Sequence, residues 1–107
     1  MTKDEVLAKL RALENRLRSA EVQNFMAGQP QNVKDNFVEF RIQLSQIVAQ
    51  LGNAQLEDIA ARLNELSPDL QAGIGSLEDA ISRLDNAIAI INTISSLVAL
   101  VGRVIAL

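Results

Sequence analysis

From Asn86 to Gly102 the chain runs seventeen residues without a charged side chain, and this stretch limits the possible folds more than any other feature. With the residues that follow it to Leu107, it is packed with large aliphatics, among them Ile88, Ile90, Ile91, Ile94, Leu97, Val98, Leu100, Val101, Val104, Ile105 and Leu107. On a helix turning about 100° per residue, these occupy more than half the circumference. Asn92, Ser95, Ser96, Ala99 and Arg103 gather into a narrow stripe of small or polar residues. Burying one large aliphatic side chain contributes roughly 1.5 to 3 kcal/mol, so leaving this face in water would forfeit on the order of 10 kcal/mol. Something must cover it: other helices of the same molecule, other copies of the chain, or lipid.

The rest of the chain repeats the helical period. Thr2 and Glu5 form a capping-box signature, after which Val6, Leu10, Leu13, Leu17 and Ala20 alternate by four and three up to Gly28 and Pro30. Gly28 is expected as a left-handed cap and Pro30 as a stop. Asn32 is a suitable cap for a second helix whose seam is Val33, Phe37, Phe40, Leu44, Ile47 and Leu51, ending at Gly52-Asn53. Leu56, Ile59, Leu63, Leu66 and Leu70 form a third seam out of phase with the second. Ser67-Pro68 looks like a cap with a first-turn proline, and Gly73 to Ser76 like a further break with Ser76 and Asp79 as a cap pair. The expected fold is all-α: a single domain over residues 1–107, a helical bundle of about four helices with coiled-coil-like heptad seams and a long hydrophobic C-terminal helix. The helices are expected near residues 3–27, 32–51, 54–66 and 68–107, with a break or kink near 73–76.

Composition narrows the chemistry. The chain has neither Cys nor His, which removes thiolates, sulfur-based zinc sites, the commonest general base and the commonest transition-metal ligand. Catalysis, cofactors, a bound metal and a small-molecule substrate are therefore not expected. Glu57-Asp58, Glu78-Asp79, Asp69 and Asp85 are better explained by the helix dipole than by a cation site. Gly73-Ile74-Gly75 lacks the strand, the third Gly and the Lys of a phosphate loop. A net charge of −3, without a basic stripe interleaved with aromatics, sets nucleic acid aside. The charged opening Met1-Thr2-Lys3-Asp4-Glu5 carries no secretory signal, so a cytoplasmic location is expected, with membrane association as the alternative. Half of the basic residues lie in the first helix and seven acids in residues 53–85, which favours packing of the first helix near the later ones.

Two surfaces are candidates for function. The first is an association or membrane face of the last helix, formed by Ile90, Ile91, Ile94, Leu97, Val98, Val101, Val104 and Ile105. The second is a pairing seam on the first helix, with Leu10 and Leu17 at a, Val6 and Leu13 at d, Lys9 and Arg16 at g, Glu14 and Glu21 at e, and Asn24 at a polar a position. In a parallel pair Lys9 would meet Glu14 and Arg16 would meet Glu21; as ordinary surface pairs, Glu5 with Lys9 and Glu14 with Arg18 already sit four apart. The function expected is a non-catalytic interaction or self-assembly module acting through apolar helix faces, as a homo-oligomer or with partner helices. The alternative is a membrane-active, pore-forming or membrane-inserting protein that uses the C-terminal helix. On insertion scales the aliphatics gain only about 0.3 to 0.6 kcal/mol each while a central Arg costs about 2.5 to 3.5, so spanning is marginal.

Overall fold

A computed structural model describes residues 1–106. They form five α-helices and no strand: α1 Lys3–Leu17, α2 Ala20–Ala27, α3 Gln31–Asn53, α4 Leu56–Arg83 and α5 Ala87–Val104. α4 alone, at about 1.5 Å per residue, is about 42 Å long. That nearly matches the 44 Å long axis of the molecule, whose other extents are 21 and 18 Å.

Each helix begins where backbone donors find an acceptor. At α1 the capping box is complete: the Thr2 hydroxyl accepts from the Glu5 N–H at 3.1 Å and the Glu5 carboxylate accepts from the Thr2 N–H at 3.2 Å. Hydrogen bonding to the carboxylate by the Thr2 backbone foremost, and then by the Thr2 side chain, favours the charged form and holds the Glu5 carboxyl below its ordinary pKa. Because the folded value is depressed, the cap's contribution is present at neutral pH and lost as pH falls through that value.

The first expected helix, 3–27, is two helices. Ser19 adopts an extended backbone and its hydroxyl accepts from the Val22 N–H, starting α2, while the Gln23 side chain donates to the Leu17 carbonyl left open at the end of α1. Gly28 follows α2 at φ −83°, so it is not a left-handed cap. α3 begins one residue before Asn32, with Pro30 in the cap position; the Pro30 carbonyl accepts from Val33 and Lys34, and Asn32 falls inside the first turn. Gly52-Asn53 belongs to α3, and the turn comes after it at Ala54-Gln55.

The larger correction concerns α4. Neither Pro68 nor Gly73-Ile74-Gly75 interrupts it, and Ser76 and Asp79 sit inside the helix rather than at a cap. Pro68 removes the bond its own N–H would have made to Asn64 and its ring crowds that carbonyl, but both residues are exposed, so the carbonyl can turn out to water. The break falls instead at Leu84-Asp85-Asn86. Leu84 takes the left-handed conformation at φ 49°, with its N–H on the Ala80 carbonyl, and the Asn86 side chain accepts from the Ala89 N–H to start α5.

The polar contacts fix how the helices run. Lys3 donates to the carbonyls of Gly52 and Ala54 and Arg18 donates to Ser45, so α1 and α3 are antiparallel. Met1 reaches Ser67 and Arg16 reaches Ser82, so α1 and α4 are parallel. Arg62 donates to the Val104 carbonyl, which makes α4 and α5 an antiparallel hairpin. α5 packs against α3 and α4, and α1 packs against the same two helices. A continuous apolar cluster links residues of all five helices, including Leu10, Met26, Phe37, Leu70 and Leu97.

Leu84 supplies a test of the hairpin. Replacing it with Gly or Ala removes the same partly buried side chain, but only Gly enters the left-handed region without a Cβ penalty. Leu84→Gly is expected to be more stable than Leu84→Ala by up to about 1 kcal/mol in chemical denaturation. The reverse order would show that this turn is not held left-handed.

Candidate functional site

The face expected on the last helix lies largely inside the molecule. Ile90, Ile91, Ile94, Leu97, Val101 and Val104 are buried, and Val98 and Ile105 are half-buried against the same core. The close approach is at Gly73 of α4, where an added Cβ would stand 2.9 Å from the Leu97 side chain and 3.5 Å from Leu100. Gly73 is therefore the notch that lets the bulky face of α5 reach α4.

α5 turns outward the narrow stripe noted in the sequence. Ile88 is 53% exposed, Asn92, Ser96 and Ala99 are exposed, and Ser95 and Gly102 are half-buried. The Ser96 hydroxyl is 3.1 Å from the Asn92 carbonyl, and the Thr93 hydroxyl is 2.8 and 2.9 Å from the Ala89 and Ile90 carbonyls. Hydroxyls turned onto their own helix need no water and suit a face that another surface can cover. α1 and α4 differ: α1 exposes Asp4, Glu5, Lys9, Arg11 and Arg16, and α4 exposes acids along most of its length, whereas α3 exposes Asp35 and Glu39 in its first half and no charge from Ile42 to Asn53. On α5 the exposed charges stand only at the two ends, Asp85 just before it and Arg103 in its last turn.

The seam residues of the first helix divide. Leu10, Leu13 and Leu17 are buried within the molecule. Lys9 and Arg16 are exposed and, with Ala12 and Leu13, border a small groove of about 120 Å³ opposite Glu78 of α4; Arg16 donates to the Ser82 hydroxyl. Glu14 lies 3.9 Å from Arg18 in an i,i+4 pair. Glu21 and Asn24 are exposed on α2, separated from the seam by the Ser19 break. The packing of basic α1 beside acidic α4 occurs as the charge balance favours, but the ion pairs among the described residues, Glu14–Arg18 and Asp79–Arg83, are each within one helix.

Contacts that sequence reasoning missed involve cations at helix C-termini. Lys3 caps α3 through the Gly52 and Ala54 carbonyls at 3.1 and 2.7 Å, and a Cβ at Gly52 would lie 3.2 Å from the Arg11 guanidinium. Arg62 caps α5 through the Val104 carbonyl at 2.7 Å while also holding the Asp58 carbonyl. Both meet the negative end of a helix dipole. The only hint in the sequence was that Arg62 stands nearly alone among acids.

Besides a groove of about 420 Å³ between Arg16, Ser19, Glu21, Ile81 and Leu84, two more open grooves mark the surface. One of about 420 Å³ lies at the α4–α5 corner between Ser76, Asp79, Arg83, Asp85, Asn86 and Thr93. The other, of about 480 Å³, lies between the N-terminal ends of α1 and α4, beside Leu56 and Leu63. In the first, Asp79 is held by Arg83 at 3.2 Å, and no metal-binding cluster of acids occurs among the described residues. Comparison with family models, with curated proteins and with solved structures gave no match.

The two sides of α5 make opposite demands on a mutation. Leu97→Asp places a charge in the core beside Gly73 and removes apolar burial worth about 2 to 5 kcal/mol, comparable to the whole stability of a small domain. It should abolish the cooperative thermal transition seen by circular dichroism. A transition within a few degrees of the unaltered protein would contradict the burial of this face.

Proposed function

We propose that the protein acts without catalysis, as a helical interaction module that assembles with copies of itself or with partner helices through the outer face of α5. The observation that carries this reading is the uncharged surface from Asn86 to Gly102, beside α4, whose exposed face carries acids along most of its length, and beside the second half of α3, which is uncharged from Ile42 to Asn53. Charged residues are among those depleted at the centre of protein interfaces. The intramolecular part of the proposal is a bundle in which α1, α3, α5 and α4 surround one core and α2 closes an end. Its support is that α1 and α5 each pack on both α3 and α4. The heptad-spaced leucines of α1 then act within the chain.

A specific observation favours a second reading. α5 from Ala87 to Val104 is long and apolar enough to cross a membrane, with a mean hydropathy of 1.8 over 18 residues of which 39% are buried. At about 27 Å it falls just short of the roughly 30 Å hydrocarbon core, and Arg103 near its end can snorkel. Insertion would require α5 to leave α3 and α4, so in this reading it accompanies assembly on the membrane.

Size-exclusion chromatography with light scattering, over a concentration series and then with liposomes, separates these readings. The expected result is a mass that rises above the 11.6 kDa of one chain as concentration increases, without co-elution with lipid. Ala99→Glu, a change on the exposed side of α5, is expected to leave the thermal transition intact and return the protein to a monomer. A monomer at every concentration that ignores liposomes would overturn the proposal, and stable co-elution with liposomes would replace it with the membrane reading.

A further inference from the structure

We infer that two copies of the chain pair antiparallel through the outer faces of their α5 helices, each Arg103 set against the other copy's Asp85 and each Ile88 over the other's Gly102. This rests on the self-assembly reading above and names its partner and geometry.

The first observation is charge. Asp85 and Arg103 are exposed, stand eighteen positions apart at opposite ends of the uncharged face, and take part in neither of the ion pairs among the described residues. Asp85 lies in the turn that leads into α5 and Arg103 in its last turn. A parallel pairing would oppose acid to acid and Arg to Arg. An antiparallel pairing centred on Ser95 sets each Arg103 opposite Ala87, the first residue of the other copy's α5, two positions from the Asp85 in the turn before it. The contact occurs twice, because a two-fold interface is isologous.

The second observation is shape. Ile88 is among the most exposed large apolar side chains, at 53%, and a Cβ built at Gly102 meets nothing within 4 Å. The same centre at Ser95 places Ile88 of one copy opposite Gly102 of the other, so the protruding residue at one end meets open space at the other end. In a parallel arrangement Ile88 would meet Ile88 and Gly102 would face Gly102 across a void. Charge and shape therefore select the same orientation. A contact between single helices of this length is smaller than the roughly 1,200 Å² of a standard interface, so the dimer is a weak one and is measured at high protein concentration.

Charge reversal at the two ends tests the inference by sedimentation equilibrium. Asp85→Lys and Arg103→Asp, each at an exposed position, are expected to raise the dimer dissociation constant about tenfold or more, since each introduces two repulsive contacts. The double variant is expected to bring it back to within about threefold of the unaltered protein. The chain has no Cys, so Ser95→Cys is a clean second probe: it is expected to form an intermolecular disulfide, whereas Ile88→Cys forms one only when mixed with Gly102→Cys. A dimer unmoved by the single reversals, or not restored by the double, would overturn the antiparallel α5 pairing while leaving self-assembly standing. A protein monomeric at the highest concentration would overturn both.

Discussion

The packing of α5 into the space between α3 and α4 is the interaction on which the rest of the structure depends. Ile90, Ile94, Leu97, Val101 and Val104 are removed from water there, and Gly73 sets how closely α4 can approach. With no Trp or Tyr in the chain, the core is built almost wholly from aliphatic side chains. Such a core is non-directional: it rewards burial at helical spacing but does little to fix helix direction. The polar contacts at helix ends supply that direction.

Those contacts follow from the geometry of helix termini. The last carbonyls of a helix have no partner within it, so a cation brought by a neighbouring helix both satisfies them and opposes the dipole. Lys3 does this for α3 and Arg62 for α5. Each bond ties residues far apart in sequence, and each is made at one end only, so a helix reversed in place would lose it. The capped starts at Thr2, Ser19 and Asn86 act locally, setting where α1, α2 and α5 begin.

The helical class was legible because the apolar period is 3.6 throughout, and the buried positions of α1 and α3 were legible for the same reason. Break points were less so, for a physical cause that is clearest at α4 and α5. The buried series Leu77, Ile81, Ala87, Ile90 and Ile94, with Leu84 half-buried between, keeps a helix-like spacing straight across the turn. Periodicity therefore carries no sign of the reversal. Pro68 and the glycines at 73 and 75 are strong breakers in isolation, yet their costs are a single freed and crowded carbonyl and backbone entropy, which the packing of a long α4 outweighs. The signals that mattered, Asn86 as a cap and Ser19 as a second cap within an unbroken seam, are short-range and easily overlooked beside a strong period. The outer stripe of α5 was visible as a helical-wheel pattern, but its position outside the core depended on which face α3 and α4 would cover. The Lys3 and Arg62 caps depend on tertiary neighbours that no local pattern encodes.

The two faces of α5 thus divide the work between folding and association. The bulky side closes the core, and the uncharged side is left for a second surface, with opposite charges marking its ends. Native-state hydrogen exchange along α5 tests the central claim most directly. If this helix is the packed spine, amides from Ile90 to Val104 exchange only through global unfolding, with protection equal to the slowest amides of α4. Rapid exchange in α5 while α1, α3 and α4 stay protected would contradict it, because the apolar face would then be open to water in the folded molecule.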